Sequence, residues 1–260
     1  MPRWEEGKLH LDVRGQSRGI AFPVAVGEAT PLDLVPMARA LSAGLTAASL
    51  DWVASEGRTV SCSAGCAACC RPLIPISPIE AVSLLEVVRA MPEPRQSQVR
   101  ARFAGAVARM EAAGLLEAKA AKGRQALLQK DARGGESPWD NVSRRYHALQ
   151  IACPFLENEA CSIYEQRPMV CREYHVVSPK EYCATLDPRT EAIPWYVRLS
   201  EVLAEAGRAI VGGSSASIPL SLALEWAEVH GDAYRATHDG ETMAQKLLEE
   251  IDAASHDPAQ

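Results

Sequence analysis

Along the first thirty or so residues apolar and polar positions alternate with a period of two: Lys8-Leu9-His10-Leu11-Asp12-Val13, then, past Gly15 and Gly19, Ile20-Ala21-Phe22-Pro23-Val24-Ala25-Val26. That alternation predicts a small N-terminal β-hairpin. From Pro31 to about Ser55 the rhythm changes. Leu34, Met37, Leu41, Leu45 and Leu50 recur at steps of three, four and five, which predicts an amphipathic helix ended by Gly57. Ser77-Pro78-Ile79-Glu80 supplies an N-cap serine, a proline for the first helical position and a glutamate three residues after the cap, a capping box that opens a helix to about Ala90. Met91-Pro92-Glu93-Pro94 breaks the chain. Beyond it Val99, Phe103, Val107 and Met110 share one face of an alanine-rich helix whose polar tail is expected to run to about Asp131.

Ala132 to Pro138, rich in glycine, reads as a linker. Ser178-Pro179-Lys180-Glu181 repeats the capping chemistry and places Cys183 on the early turns of a short helix stopped by Pro188. Further helices are predicted over about 193–211, 218–236 and 240–254, separated by Gly212-Gly213 and by His238-Asp239-Gly240. The expected fold class is therefore mostly α: a helical protein with a cysteine-rich core and a small N-terminal β-hairpin. Residues 1–58 form the hairpin and first helix, 59–188 the cysteine-rich domain, and 189–260 a C-terminal helical extension packed on it.

Composition narrows the function classes. The 260 residues are 47% hydrophobic and 23% charged, which suits a folded chain and rules out a largely disordered one. A net charge of -6 gives no broad basic surface, so neither nucleic acid nor an anionic membrane is an expected partner. No run of about 18 apolar residues offers a membrane span, and Met1-Pro2-Arg3-Trp4-Glu5-Glu6 lacks the pattern of a secretory signal, so a cytoplasmic location is expected. No Ser/His/Asp set, phosphate loop or GxGxxG fingerprint supports a hydrolase, kinase or dehydrogenase, and no catalytic residue is assigned.

The eight cysteines carry the chemistry. Four stand at Cys62, Cys66, Cys69 and Cys70, and four at Cys153, Cys161, Cys171 and Cys183, with none elsewhere. In a reducing compartment they are not expected to form disulfides. A thiolate must come within about 2.3 Å of its metal, and spacings of two or three residues let one loop turn present two sulfurs to one ion. Cys62-x3-Cys66-x2-Cys69 does so twice in succession. All-sulfur ligation selects zinc, iron-sulfur or copper(I) over magnesium or calcium, and this spacing leans towards an iron-sulfur cluster. Radical-SAM enzymes share the spacing, and Gly134-Gly135-Glu136 echoes one of their motifs. Ala68 stands where they carry an aromatic residue, however, and the chain lacks their alternating strands and helices. The neighbours Cys69 and Cys70 point in divergent directions, which leaves three arrangements open: two adjacent centres, one cluster plus a free thiol, or one ligand beside a packing residue.

Cys66-Ala67-Ala68-Cys69-Cys70 with Pro75-Ile76-Ser77-Pro78-Ile79-Glu80-Ala81, then Cys153-Pro154-Phe155-Leu156, Cys161-Ser162-Ile163-Tyr164, Arg167-Pro168 and Cys171-Arg172, resemble the YkgJ-type cysteine-cluster family, the CxxCxxCC family of zinc- or iron-chelating domains. The resemblance covers about residues 60–185. It departs at Ser63-Ala64-Gly65, three residues where the family name has two. It implies that all eight cysteines chelate and that the protein is soluble and bacterial. The flagellin lysine methylases have a similar arrangement, for which an iron-sulfur cluster in methyl transfer is inferred, and that resemblance supplies an enzyme hypothesis.

The residues around the second group have their own physical reading. Pro168 suits the first position of a short helix carrying Cys171, while Phe155, Leu156, Ile163 and Tyr164 are expected to pack a small core around the metal. Arg167 and Arg172 either donate to sulfurs and offset thiolate charge or bridge carboxylates such as Glu165 and Glu173. His175 reads as a hydrogen-bonded or surface histidine rather than a ligand, His147 as part of a solvated helix face, and Trp195, Trp226 and Tyr234 as packing on apolar helix faces. The function expected is metal binding, with iron in an iron-sulfur cluster, [4Fe-4S] by preference, serving redox, group-transfer or sensing chemistry. The alternative is a structural zinc module that binds a protein partner.

Overall fold

A computed structural model of the protein describes residues 2–13, 16–116, 123, 124, 127, 138–213 and 216–255. In it β1 (Arg3–Val13) pairs antiparallel with β2 (Gln16–Val26), from Arg3 opposite Val26 to Val13 opposite Gln16. The ladder is longer than the alternation alone marks. Ile20, Phe22 and Ala25 turn inward from β2 onto the first helix, and the outer face is solvated. The elements that follow are β3 (Glu28–Ala29), α1 (Leu34–Ser55), β4 (Pro75–Ile76), α2 (Pro78–Arg89) and α3 (Arg95–Ala112). Next come α4 (Pro138–Ala148), β5 (Leu156–Glu157), β6 (Ala160–Cys161), α5 (Met169–Glu173) and α6 (Lys180–Thr185). The chain closes with α7 (Leu199–Val211), β7 (Ile218–Pro219), α8 (Ala223–His230), β8 (His238–Asp239) and α9 (Gly240–Ser255).

The mostly helical class holds, with the N-terminal hairpin as the one long strand pair among the described residues. α1 is the hub. Leu34, Val35, Met37, Ala38, Leu41 and Leu45 are buried along it at helical spacing, and it packs against β2, α2, α5, α7 and α9. One hydrophobic core runs from Ile20 through α2 and α7 to Ile251. α2 starts as the sequence predicts: the Glu80 amide donates to Ser77 Oγ at 3.3 Å, and the Ser77 amide and hydroxyl donate to Glu80 Oε2 at 2.9 and 2.7 Å. Among the described residues no helix is long and apolar enough to cross a membrane.

Several expected boundaries move, each for a local reason. α3 stops at Ala112 rather than continuing. The Gly114 amide donates to the Glu111 carbonyl, the Leu115 amide reaches back to Met110, and Gly114 takes a φ of 65°, a Schellman stop that only glycine adopts without strain. Most of the expected polar tail and the linker Ala132–Ser137 lie outside the described residues, as does Gly15. α7 begins at Leu199, not at 193. Ile193 precedes Pro194 and is held extended by donating its amide to the His175 carbonyl. The stretch 218–236 is no single helix: Ile218 pairs with Ile76, and α8 is flanked by short 3-10 turns. Two-residue ladders also join β3 to β8 and β5 to β6. Such pairs are too short to show alternation in a sequence.

Candidate metal centre

The first cysteine group lies in the loop between α1 and β4. Cys66 and Cys70 close tight turns by donating their amides to the carbonyls of Ser63 and Ala67, and Ala68–Cys70 forms one 3-10 turn. Two backbone contacts then fix this loop to the second group. On one side the Ser61 amide donates to the Val176 carbonyl at 2.9 Å, and the Val176 amide donates to Cys62 Sγ at 3.4 Å. On the other the Cys153 amide donates to the Cys70 carbonyl at 2.7 Å, and Arg71 grips Glu159 with two bonds of 3.1 and 2.7 Å.

The second group is spread over four small elements. Cys153 precedes the β5–β6 turn, whose two central residues, Asn158 and Glu159, have φ of 51° and 57°. Cys161 ends β6, Cys171 sits in α5, and Cys183 is buried on α6, which packs against the Ala68–Cys70 turn. Pro168 is the residue just before α5 rather than its first helical one. α6 differs from expectation in its start. Ser178 does not cap it; its hydroxyl accepts the Glu191 amide at 3.0 Å, and the helix opens after Pro179. Glu80 joins the two halves of the region again, because its Oε1 accepts the Met169 amide at 2.6 Å and so anchors the first turn of α5 to the cap of α2.

The sulfurs are brought into one neighbourhood. Cys69 acts electrostatically on Cys62, Cys153, Cys161, Cys171 and Cys183, and Cys66 acts on Cys62 and Cys183. Burial raises the thiols of Cys62, Cys161, Cys171 and Cys183 and pushes Cys153 up to about 12. Cys69 is raised first by the hydrogen bond its S–H gives Cys70. Neutral thiols are thus the stable form without a cation, and a bound cation reverses that preference by drawing thiolates and releasing protons. Among the described residues no three or more His, Cys, Asp or Glu side chains stand in ready ligating positions. A metal would have to draw the sulfurs together by side-chain rotation. The donor set fits zinc or iron, since it is all thiol and includes no carboxylate.

The surrounding residues divide. Phe155 and Ile163 are buried as expected, Phe155 edge-on to Phe103 at 5.3 Å, and Leu156 is half-buried. Tyr164 is not part of that core: it is 43% exposed, with the Arg167 guanidinium 3.9 Å above its ring. Arg167 and Arg172 make no carboxylate bridge among the described residues. Arg172 Nε donates to the Arg167 carbonyl at 3.1 Å and its other arm to Glu165, while the charge of Arg167 reaches Cys69 and Cys161. His175 Nδ1 lies 3.1 Å from the Glu173 carbonyl oxygen. His147 lies on a partly solvated face of α4, where its Nε2 also meets the Ala184 carbonyl at 2.9 Å and ties α4 to α6.

A cavity of about 560 Å³ opens beside the sulfurs. Cys69, Cys171 and Cys183 line it together with Tyr174, Trp195 and Leu73, and α4 forms its far wall. A smaller cavity of about 140 Å³ shares Tyr174 and Trp195 and reaches Glu173. Glu173 is buried. Its Oε2 accepts the Ser200 hydroxyl at 3.0 Å, Oε1 has no hydrogen-bond partner among the described residues, and burial lifts the carboxyl to about 7. Trp195, read from sequence as helix packing, stands in the extended run before α7 and donates Nε1 to the Glu173 carbonyl at 3.0 Å. No spacing marks Tyr174, Glu173 and Trp195 as one wall, because they meet only after α5 and this run fold onto each other.

Residues 61–189 match the CxxCxxCC family model, described as "Putative zinc- or iron-chelating domain". No curated protein and no solved structure matches the chain. The match supports metal binding by a cysteine cluster, with zinc or iron as the ion.

Proposed function

Starting from residues 61–189 as a CxxCxxCC segment, we propose that the two cysteine groups together hold iron, as an iron-sulfur cluster of the [4Fe-4S] type, and that the protein carries out redox or group-transfer chemistry on a small molecule beside it. The observation that carries this reading is the cavity of about 560 Å³ walled by Cys69, Cys171 and Cys183. Its size is that of an organic ligand site, whereas a purely structural zinc site is closed by its four ligands and has no use for an opening at the sulfurs. A cluster bound there supplies an electron or an exposed Lewis-acidic iron. The chain's own residues do the rest. Tyr174 and Trp195 offer an aromatic wall to an apolar body, and Arg167 and Arg172 offset the negative charge of the thiolates. Eight thiols without disulfides suit a reducing compartment, which supports a cytoplasmic location as part of this reading.

Protein purified without oxygen should be brown, absorb broadly into the visible and contain iron and sulfide. Colourless protein with stoichiometric zinc overturns the reading in favour of a structural module with a protein partner. Cys66→Ser and Cys161→Ser should each lower metal content. If Cys161→Ser leaves both metal content and Tm unchanged, ligation across the two segments is wrong.

A further inference from the structure

We propose that the outer edge of β1 pairs with the same edge of a second copy of this chain, joining the two N-terminal hairpins into one four-stranded antiparallel sheet with its two-fold axis at Gly7. The proposal does not depend on the cysteines or on any metal.

The hairpin has two long edges, and the fold treats them differently. Only two residues separate Val13 from Gln16, so that closing pair exchanges both of its backbone hydrogen bonds. Counting back along the ladder, the odd-numbered residues of β1 spend N–H and C=O on β2, while the even-numbered ones, among them Trp4, Glu6, Lys8 and His10, aim theirs the other way. On the far edge of β2 the corresponding outward positions are closed. Pro23 has no N–H to offer, and Gly240 at the start of α9 lies so near the Ala25 carbonyl that no Cβ would fit between them. β1 has neither device. No proline stands between Arg3 and Val13, and among the described residues the outer edge of β1 has no strand partner. An edge eleven residues long is a template for another strand.

Register decides which strand fits. An added antiparallel strand must set outward-pointing residues opposite outward-pointing ones, so a second β1 fits only where even-numbered residues face even-numbered residues. With the axis at Gly7, Glu6 stands opposite Lys8 of the second copy and Lys8 opposite its Glu6, while Trp4 and His10 stand opposite each other in the same way. All four side chains are exposed, on the face turned away from Leu9 and Leu11, which pack towards the core. Opposite charges placed directly across two strands attract, and like charges so placed repel. Moving the axis by one residue in either direction sets Glu6 against Glu6 or Lys8 against Lys8. One symmetric register therefore stands apart from its neighbours.

The axis itself suits close approach. Gly7 meets Gly7 at a pair without mutual hydrogen bonds, where the Cα atoms of an antiparallel ladder come within about 4.5 Å. Neither residue carries a side chain, and on the inward face the Phe22 ring fills the space that a Cβ would take. On that face Glu5 falls opposite Leu9 and Arg3 opposite Leu11, while Arg3 and Glu5 of each strand keep their own contact at 2.8 Å. Within one chain Lys8 and Glu6 also meet along the strand at 3.0 Å, with both side chains largely exposed. An exposed pair of that kind is worth little in water, so its charges are available to be shared across the axis.

The test is the mass of the full chain in solution, measured by sedimentation over a wide range of concentration with reductant present so that no disulfide contributes. The native chain should run at twice the mass of one chain. Lys8→Glu and Glu6→Lys each set like charges opposite one another and should weaken dimerisation about tenfold or more. Lys8→Pro removes one outward N–H without touching the ladder to β2 and should leave single chains. The decisive arm mixes Glu6→Lys with Lys8→Glu in equal amounts. Opposite charges then face each other across the axis, and a mixed dimer should form from two variants that fail to pair with themselves. Circular dichroism checks that each variant is folded, and the doubly substituted chain, in which opposite charges face again, replaces the mixture if either single variant is not. A native chain that stays single at every concentration overturns the proposal, and the charges then protect the edge rather than pair it. A dimer indifferent to all three substitutions places the contact elsewhere and overturns it too, as does failure of the two charge variants to combine. None of these outcomes bears on metal content, so the proposal stands or falls apart from the reading of the cysteines.

Discussion

Glu80 shows how much a single side chain organises here. Its carboxylate takes three donors, the Ser77 amide and hydroxyl and the Met169 amide, while burial raises its pKa. Arg39 from α1 and the Cys171 thiol face it electrostatically. Glu80→Ala removes the cap of α2 and leaves a buried Met169 amide unpaired, which should cost about 2–4 kcal/mol in denaturant unfolding. A loss below about 0.5 kcal/mol refutes the anchoring role. The pH dependence has a defined sign. With its folded pKa above the ordinary 4.5, Glu80 favours the folded state less as pH rises through the interval between the two values. The deficit of Glu80→Gln relative to the native chain should therefore shrink as pH rises above the ordinary carboxylate range, and a deficit that grows contradicts the burial argument. The capping role was legible in Ser77-Pro78-Ile79-Glu80. The bond to Met169, 89 positions away, was not, since nothing in a local pattern specifies a long-range acceptor.

Among the elements, the helices with long apolar periodicity were the legible ones. α1, α2 and α9 fall where the spacing puts them, because each buries a stripe against the common core. Legibility failed where tertiary bonds outcompete local preference. Ser178 spends its hydroxyl on Glu191 instead of a cap, and Ile193 to Arg198 stays out of the helix, with the Ile193 amide donated to the His175 carbonyl. The start of α9 depends on a close approach of the same kind. A methyl group at Gly240 would run into the Ala25 carbonyl of β2, which is backbone and cannot swing aside, while the Gly240 amide donates to the Gly27 carbonyl at 2.8 Å. Gly240→Ala should destabilise by about 2 kcal/mol or more, read as a lower Tm. An unchanged Tm means that α9 and the hairpin are not locked together as described.

At the scale of the whole molecule, the metal region is fastened to a helical body that reaches far outside it. Arg124, with an 8% exposed side chain, bonds Glu111 at the end of α3 and Glu225 of α8. Arg124→Gln strands two partly buried carboxylates and should cost about 3–5 kcal/mol, with a melting experiment as the check. Removing metal with a chelator should lower Tm and open the Cys62–Cys70 loop to protease before the helical body is cut, because the ions would bind the folded arrangement and not the unfolded chain. Simultaneous loss of both regions would show that the core does not stand without them. The sequence by itself determined the helical class, the hairpin and a cysteine cluster suited to zinc or iron, since apolar periodicity and clustered thiols are local patterns with few physical alternatives. Only the tertiary structure decided that Cys69, Cys171 and Cys183 line one cavity, that Tyr164 faces solvent, and that Tyr174 and Trp195 wall that cavity beside the thiols. Those facts depend on where distant backbone groups find their hydrogen-bond partners, and no window of neighbouring residues contains that information.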